Sequence, residues 1–294
     1  MELIDLQKGV SLKNYSSYGI GGGADYLLPA TATDQLIEII KLAKRENLPW
    51  IVIGGGTNIL FPDKGVRGIV IQVKTHNLEI SGEKITADSG TPLALVVNRS
   101  IQEGLTGLEN WAGIPGTIGG AVYGNAGVPG SEMKDYIESV EIYDSKSDKT
   151  EKLPLEEMEF SYRDSGFKRN GKIILRVTLK LTKSDDKKAD TAKTIKERLA
   201  KQPTTPSAGS FFKNPTPEKP AGLLIDQCGL KGKCIGDAQI SDKHANFIIN
   251  LGNATQKDIL ELAKMAKESV KEKFSIELIP EVQIFDELGN KTKL

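Results

Sequence analysis

The stretch NWAGIPGTIGGAVYGNAG, residues 110–127, decides the fold that we expect for this chain. Six of its 18 residues are glycine, and most of the others carry small side chains. Such a segment lacks the bulk to build a core of its own, but its glycines let the backbone lie flat against a planar ring and an attached chain. Taken alone, the stretch is also compatible with a glycine-rich structural turn.

A second glycine loop lies upstream. GGGTNIL, residues 54–60, directly follows WIVI, residues 50–53, which has the apolar run of a buried strand. Three consecutive glycines can turn several N–H groups toward one anion such as pyrophosphate. The loop lacks the ending of a Walker loop, and it is not a GxGxxG fingerprint that opens a helix. A single GGG loop can be just a tight turn, but two such loops are what a long dinucleotide needs.

Three further motifs contain polar residues that could do chemistry. SAGSFFKNP, residues 207–215, places Ser210 between a glycine and two aromatic residues, with Lys213 three positions later. No histidine is near enough in sequence to complete an acyl-transfer triad, so Ser210 taken alone is a cap or turn residue. SYRDS and IPEV contain Arg163 and Glu281, which would be assigned to the surface by default.

The pattern of apolar residues predicts strands and helices in three successive blocks, an α+β organisation. We expect strands at 24–29, 50–53, 68–73, 83–88, 139–144 and 172–181, and one or two strands over 276–286 broken at Pro280. We expect helices from Thr33 with Thr33 or Asp34 as the cap, over 93–104, up to Lys201 before Pro203, and from the capping-box-like TQKD at Thr255. A polar connection is expected at 183–188, and the five prolines within 203–222 predict a domain boundary.

Composition excludes several classes of protein. Lys plus Arg and Asp plus Glu both number 39 in 294 residues, so the formal net charge is zero and a nucleic-acid partner is not expected. No apolar run approaches the length of a membrane span, and the opening residues do not resemble a signal peptide. The only cysteines, Cys228 and Cys234, and the only histidines, His76 and His244, match no metal or disulfide pattern. We therefore expect no bound metal and a reducing, cytoplasmic location.

Seven motifs in a fixed order resemble one enzyme family. YGIGGGAD, GGGTNIL, WAGIPGTIGGAVYGNAG, SYRDS, SAGSFFKNP, HANFIIN and IPEV are together similar to UDP-N-acetylenolpyruvoylglucosamine reductases, from about Tyr18 to Val282. The resemblance implies an FAD-binding PCMH-type (vanillyl-alcohol-oxidase-like) domain in two parts and a C-terminal α+β substrate-binding domain. The expected boundaries are 1–75 and 76–202 for the flavin-binding parts and 203–282 for the substrate domain, with the tail 283–294 packing on the first part.

The resemblance also implies an activity and its catalytic residues. The family reduces the enolpyruvyl group of UDP-N-acetylglucosamine enolpyruvate to UDP-N-acetylmuramate, a peptidoglycan precursor, with NADPH as reductant and FAD as cofactor. A hydride reaches C3 of the enolpyruvyl group from reduced FAD, and Ser210 matches the residue that gives C2 its proton. Arg163 matches the arginine that stabilises the developing charge, and Glu281 matches the catalytic glutamate. Positions in or beside matching motifs imply four substrate contacts, namely Tyr162, Lys201, Asn214 and His244.

The resemblance also implies cofactor contacts, all of which except Gly90 lie in the two glycine loops. The implied FAD-binding residues are Gly54, Gly55, Gly56, Thr57, Asn58, Ile59, Gly90, Gly113, Ile114, Pro115, Gly116, Thr117, Gly119, Gly120, Ala121 and Asn125. GGGTNIL contains no histidine for a covalent link, so we expect FAD to be held noncovalently. Only 47 positions separate Arg163 from Ser210, which matches the shorter class that lacks a tyrosine-bearing insertion. Gly19, Gly23 and Cys228 stand where relatives commonly have arginine, proline and a small residue.

Two other functions remain open at this point. A flavin oxidase of the same fold would explain both glycine loops, but it would leave SAGSFFKNP and the pair of Arg163 and Glu281 unexplained. A nucleotide-binding regulatory module without turnover would tolerate replacement of Ser210 and Glu281. For the reductase we expect small-molecule partners alone, no nucleic acid, no membrane, and a monomer.

Overall fold

The first block of the chain is a small sheet covered by one helix. A computed structural model describes residues 8–184 and 191–294. The first block contains β1 (Lys8–Ser11), β2 (Gly23–Ala30), α1 (Thr33–Arg45), β3 (Trp50–Ile53), β4 (Ile59–Leu60) and β5 (Ile69–Val73). Four strands form a sheet in the order β1-β2-β5-β3, in which β2 and β3 both run parallel to β5. This strand–helix–strand arrangement places the loop after β3 at the carboxyl edge of the sheet.

Helix α1 has the buried face that the sequence predicts, but a different N-terminus. Leu36, Ile39, Ile40 and Ala43 are all buried, as the 3.6-residue period requires. The N-cap residue is Ala32, which offers no side-chain hydrogen bond, so the expected cap at Thr33 or Asp34 is wrong. Both of those residues already lie inside the first turn.

The second block is built around an antiparallel sheet. Its elements are β6 (Leu78–Ser81), β7 (Lys84–Asp88), α2 (Leu93–Gln102), β8 (Leu105–Thr106), α3 (Ile118–Gly124), β9 (Gly127–Val128), β10 (Ser131–Glu132), β11 (Ile137–Asp144), β12 (Lys149–Pro154), α4 (Phe167–Asn170), β13 (Lys172–Lys180), β14 (Thr182–Lys183) and α5 (Thr191–Lys201). Five strands pair in the order β12-β11-β13-β7-β6. Helices α2 and α3 contact β7, and fully buried Trp111 joins them in a single apolar cluster.

The third block packs a long helix against a three-stranded sheet. It comprises α6 (Ala221–Gln227), β15 (Cys234–Ile235), β16 (Ala238–Ile240), β17 (Ile248–Asn250), α7 (Gln256–Phe274), β18 (Gln283–Phe285) and β19 (Lys291–Thr292). The predicted capping box is confirmed, because the Thr255 side chain accepts from the Asp258 N–H while the Asp258 carboxylate accepts from the Thr255 N–H. Of the one or two strands expected over 276–286, one forms, Gln283–Phe285, and it lies after Pro280.

The C-terminus returns to the first block. Strand β18 pairs in parallel with β4, and β19 pairs with β18 as a hairpin. Asp63 links the first and third blocks, since its carboxylate accepts from the N–H groups of Gln256 (2.7 Å) and Lys257 (3.3 Å) at the start of α7. These contacts bring the loop after β3 close to the end of the chain, which matters for the site described below.

The remaining predicted elements are confirmed at nearly the expected positions. These are the strands at 24–29, 50–53, 68–73, 83–88, 139–144 and 172–181 and the helices over 93–104 and up to Lys201. Most of the polar connection 183–188 lies outside the described residues. Within the described ranges, none of the helices combines the length and the apolar character needed to cross a bilayer.

Candidate active site

A cavity of about 1170 Å³ opens where the three blocks meet. The loop after β3 and the start of α3 form one side of it, and the segment 203–210 and the C-terminal hairpin form another. Cavities at such domain junctions are the usual place for a cofactor or substrate. The cavity is therefore the candidate active site, and residues from both glycine loops line it.

The two glycine loops face each other directly in the cavity wall. A Cβ on Gly54 would lie 2.5 Å from the Thr117 hydroxyl oxygen, and a Cβ on Gly116 would lie 2.9 Å from the Thr57 hydroxyl oxygen. Gly116 also has φ +112°, where side chains are strained. Glycine is thus required at both contact points for the two loops to approach each other.

The loop after β3 has unused donors at the cavity. Among residues 8–184 and 191–294, no hydrogen bond uses the N–H groups of Gly55, Gly56 or Thr57. Gly56 has φ +66°, and a Cβ there would overlap the carbonyl oxygen of Tyr15. A row of free N–H groups beside a cavity of this size fits the pyrophosphate of a dinucleotide such as FAD. The residues present therefore suit the cofactor that the sequence predicts.

Arg163 reaches the cavity from a tight turn. Ser161 and Asp164 exchange both backbone hydrogen bonds, so Tyr162 and Arg163 occupy the tip of the turn. Arg163 has φ +53°, a conformation that few non-glycine residues adopt. Its Nη2 donates to the Gly127 carbonyl at 2.8 Å, and a Cβ on Gly127 would lie 2.8 Å from Arg163 Nη1. The glycine at 127 thus leaves room for the guanidinium.

Glu281 meets Arg163 at the same wall. The distance from Arg163 Nε to Glu281 Oε1 is 3.5 Å, and Nε is buried without a hydrogen-bond partner in the described part of the chain. The Glu281 N–H donates to the Phe211 carbonyl at 2.8 Å. Because Ser210 directly precedes Phe211, this contact places Glu281 beside Ser210. Asn58 Nδ2 donates to the Glu281 carbonyl at 3.2 Å. Arg163, Ser210 and Glu281 therefore lie close together, and Asn58 in the loop after β3 holds the backbone of Glu281.

Burial dominates the electrostatics of this wall. Burial raises the pKa of Glu281, against the opposing effect of Arg163, Lys168 and Lys213. Burial and the nearby charge of Lys213 lower the pKa of Lys168, whose ammonium donates to the Arg163 carbonyl at 2.7 Å. A glutamate whose pKa is raised by burial thus lies near the charges of Arg163, Lys168 and Lys213. Such an arrangement suits a substrate group that gains negative charge.

Comparisons with known proteins identify the family to which both parts of this fold are similar. Residues 24–151 match the family described as FAD binding domain, and residues 201–285 match UDP-N-acetylenolpyruvoylglucosamine reductase, C-terminal domain. The reductase of that name from Caldanaerobacter subterraneus subsp. tengcongensis is 42% identical over 94% of this chain and 92% of its own length. That from Caldicellulosiruptor bescii is 43% identical, over 97% and 92%.

This chain belongs to the UDP-N-acetylenolpyruvoylglucosamine reductase family. The crystal structure of the reductase from Thermus caldophilus superimposes with a TM-score of 0.80 at 37% identity, over 95% of this chain and 98% of the other. The predicted fold class, a two-part FAD-binding domain followed by an α+β domain, is confirmed, as is the prediction of an FAD-containing oxidoreductase.

Most of the predicted cofactor residues of the reductase line the cavity. They are Gly54, Gly55, Gly56, Thr57, Asn58, Ile59, Gly113, Ile114, Pro115, Gly116, Thr117, Gly119, Gly120 and Ala121. Gly90 and Asn125 are not in the wall. A Cβ on Gly90 would lie 2.5 Å from the Thr75 carbonyl oxygen, so this glycine allows a close backbone crossing. Asn125 is fully buried and donates to the Ser161 carbonyl at 2.9 Å, which supports the turn that carries Arg163.

The predicted substrate contacts divide in the same way. Tyr162 and Asn214 line the cavity of the reductase, whereas Lys201 and His244 do not. Lys201 is exposed at the end of α5. His244 packs edge-on against Phe247, and burial lowers its pKa. Because His244 does not line the cavity, its side chain would have to move in order to contact a ligand there.

Several residues of the site escaped the sequence analysis. Asn246 accepts from the Phe212 N–H at 2.9 Å and donates to the Phe212 carbonyl at 2.8 Å, and so fixes the chain next to Ser210. Ser17 donates to the Ser207 carbonyl at 2.6 Å. Lys168 and Lys291 line the cavity as well. Asn246 lies within the motif HANFIIN and Ser17 directly precedes YGIGGGAD, but nothing in the sequence indicates which other segment their polar groups would contact.

Proposed function

We propose that the reductase catalyses the NADPH-dependent reduction of the enolpyruvyl double bond of UDP-N-acetylglucosamine enolpyruvate to give UDP-N-acetylmuramate. The observation that carries this proposal is that Arg163, Ser210 and Glu281 line the same cavity as the two glycine loops. The two glycine loops would hold FAD, which would supply the hydride chemistry that links NADPH to C3 of the enolpyruvyl group. The remaining chemistry, charge stabilisation at the carboxylate and protonation at C2, falls to the protein.

Arg163 holds the carboxylate of the substrate. Addition of a hydride at C3 moves an electron pair toward C2 and the carboxylate oxygens, and a guanidinium can donate to both oxygens at once. Arg163 Nε is buried, lacks a hydrogen-bond partner within the described residues and lies 3.5 Å from Glu281 Oε1, so the guanidinium has spare donor capacity at the cavity wall. The hydrogen bond from Nη2 to Gly127 at 2.8 Å orients the guanidinium before the substrate arrives.

Ser210 gives its hydroxyl proton to C2. A serine hydroxyl is a weak acid, and it can protonate C2 because the enediolate formed there is strongly basic. Ser210 lines the cavity and forms no hydrogen bond with the other described residues, so its hydroxyl is free to turn toward a ligand. The backbone is held on both sides of Ser210. The Ser207 carbonyl accepts from the Ser17 hydroxyl, and the Phe211 N–H donates to the Asn246 carbonyl at 2.7 Å.

Glu281 acts in its neutral or proton-sharing form when the substrate is bound. A second full negative charge beside the enediolate would oppose the reaction, and the burial that raises the pKa of Glu281 favours the neutral carboxyl. The backbone contact from Glu281 to Phe211 keeps this carboxyl near Ser210. Glu281 can therefore support proton delivery without adding charge to the site.

The proposal also covers the cofactor, the domains and the substrate contacts. FAD is bound noncovalently, with the N–H groups of Gly55, Gly56 and Thr57 toward its pyrophosphate, and the chain falls in the shorter class of the family. The domains are 1–75, 76–202 and 203–282. Tyr162, Lys201, Asn214 and His244 contact the UDP-sugar, the last two from the domain that closes over it. The enzyme works as a cytoplasmic monomer.

An anaerobic absorbance experiment tests the proposed activity. The purified protein is expected to be yellow, to lose its flavin band near-stoichiometrically on addition of NADPH, and to regain it on addition of UDP-N-acetylglucosamine enolpyruvate. A reduced protein that is reoxidised by oxygen with release of peroxide but ignores the enolpyruvyl substrate would instead be an oxidase. A protein that binds nucleotide without any change of the band would be a regulatory module, and both results would overturn the proposal.

A further inference from the structure

The C-terminal hairpin places a lysine at the cavity that the proposed chemistry does not use. Strands β18 and β19 pair through Ile284 with Thr292 and Phe285 with Lys291. Lys291 lines the cavity together with the neighbouring residues Gly289 and Asn290. Because β18 begins two residues after Glu281, the hairpin is a direct continuation of the catalytic wall.

The turn of this hairpin is held in one conformation. Asp286 Oδ1 accepts from the N–H groups of Leu288 at 2.9 Å and Asn290 at 2.8 Å, and the Gly289 N–H donates to the Asp286 carbonyl at 3.1 Å. Gly289 has φ +75°, and a Cβ there would lie 2.6 Å from Cγ2 of Ile51. The hairpin thus packs closely on β3, and the start of β19 has a defined position.

Lys291 crosses from the hairpin to the second block. Its ammonium contacts the hydroxyl of Tyr123 on α3 and the Lys168 carbonyl on α4, the latter at 3.3 Å. It also lies 4.6 Å from the centroid of the Tyr123 ring. The side chain therefore spans part of the cavity and meets a phenol that lines it.

No acidic group neutralises this lysine. In the described ranges, Lys291 forms no ion pair with a carboxylate; the groups that face it are the Tyr123 phenol from α3 and the carbonyl of Lys168 from α4. The Lys168 ammonium is 3.5 Å from Asp164, and Asp286 on the hairpin is used by the turn. Loss of hydration lowers the pKa of Lys291 to about 8, as expected for a cation without a counter-charge.

We propose that Lys291 and the Tyr123 hydroxyl form an anion-binding pair that holds a phosphate or carboxylate group of a ligand in the cavity. An ammonium and a phenol beside each other offer two donors to one anionic oxygen group. The inference rests on the proposed function in one respect, namely that FAD, NADPH and the UDP-sugar share this cavity. All three carry phosphates, and the substrate also carries a carboxylate, so the source of the anion has to be measured.

Calorimetry on the flavin-loaded enzyme separates the sources. NADP⁺ and UDP-N-acetylmuramate serve as probes that bind without turnover, and flavin released on dilution reports FAD affinity. Lys291→Met is expected to weaken one of the three by about tenfold, the loss of one charge-assisted hydrogen bond, and to leave the other two within about twofold. Tyr123→Phe, which keeps the ring, is expected to weaken the same ligand by a smaller factor. Lys293→Met is the matched control, since Lys293 follows in the same tail but does not line the cavity.

The pH dependence provides an independent readout. The protonated ammonium binds the anion, and bound anion raises the pKa of Lys291, so affinity is constant below about pH 8 and falls as the pH rises above it. Binding at pH 8 is therefore accompanied by proton uptake, visible as a difference in heat between two buffers. Lys291→Arg is expected to keep the affinity and to lose both the pH dependence and the proton uptake, because arginine stays charged.

Equal affinities of wild type and Lys291→Met for all three ligands would overturn this inference. So would a loss of the same size in Lys291→Arg, provided that its melting temperature is unchanged, since a positive charge would then not be what the ligand requires. These results are distinct from a failure of the proposed function, in which the wild-type enzyme itself does not pass electrons from NADPH to the enolpyruvyl substrate.

Discussion

Replacement of Ser210 by alanine tests the assignment of the proton donor. The substitution removes one oxygen atom that lines the cavity and that hydrogen-bonds to no other described residue. The backbone around it is fixed from outside, by Ser17 on one side and by Asn246 on the other. The change is therefore a deletion of a hydroxyl and not a rearrangement of the loop.

The structure predicts a large kinetic effect and almost no effect on stability. A side chain without hydrogen bonds to lose changes the free energy of unfolding by less than about 0.5 kcal/mol. Loss of a positioned acid slows proton transfer by about 10²–10⁴-fold, which corresponds to about 3–5 kcal/mol on the barrier. Alanine is tolerated at position 210, because the positive φ of this segment, +76°, belongs to Gly209 and not to Ser210.

Stopped-flow absorbance under anaerobic conditions separates the two half-reactions. We expect the Ser210→Ala variant to be reduced by NADPH at the wild-type rate, because that step needs no acid at C2. We expect its reoxidation by UDP-N-acetylglucosamine enolpyruvate to slow by the factor given above. Ser210→Cys is the matched comparison, as a thiol of similar size that can still donate a proton.

Reoxidation of the Ser210→Ala variant within about threefold of the wild-type rate would refute the reasoning. Equal slowing of both half-reactions would also count against it, since a general distortion of the cavity would then explain the loss. Circular dichroism and the melting temperature of the variant exclude misfolding as the cause.

Three other variants follow from the same geometry. Glu281→Gln is expected to lower turnover by about 10²-fold. Burial raises the pKa of Glu281 in the folded protein, so the contribution of this carboxyl to folding stability is complete below pH 4.5 and is lost as the pH rises through the folded pKa. The variant, which stays neutral, should therefore melt at or above the wild-type temperature at pH 7. Near-normal turnover would remove Glu281 from the mechanism. Asp63→Ala leaves two N–H groups of α7 uncapped and should lower the free energy of unfolding, measured with urea, by about 1–2 kcal/mol. Asp63→Asn should lower it by less, because the amide oxygen can still accept a hydrogen bond. Gly56→Ala should yield colourless protein, since its Cβ would overlap the Tyr15 carbonyl, and a yellow variant would contradict the assigned role of this loop.

Local sequence patterns were enough to predict most of the strands and helices. The apolar period of α1 and the capping box of α7 depend on residues within a few positions of each other, and both appear as predicted. No strand forms at 276–279 before Pro280, although three of these four residues are apolar. In place of a ladder, this segment has one isolated bridge from Phe212 to Pro280 and lies against the SAGSFF loop. Tertiary contact decided between two structures that the local pattern allowed.

The candidate site shows the same division. Both glycine loops could be read from the sequence, because close backbone approach demands glycine. The catalytic trio was implied only by the resemblance to the reductase family, since residue types alone would assign Arg163 and Glu281 to the surface and Ser210 to a cap or turn. The partners that hold these residues could not be read from the sequence. Asn125 was predicted to touch the cofactor and instead supports the Ser161 turn, and Lys291 gave no signal in the sequence at all.

The amino-acid order by itself determined what each segment is made of: glycine where two loops must touch, an apolar stripe where a helix must be covered, and an arginine, a serine and a glutamate in separate motifs. Only the folded chain decided that these motifs meet. Parallel pairing of β18 with β4 returns the C-terminus to the loop after β3, and with it Glu281 reaches Arg163. The physical reason is range, since backbone propensities act over a few residues whereas burial and ion pairing act between surfaces that exist only after the three blocks have packed.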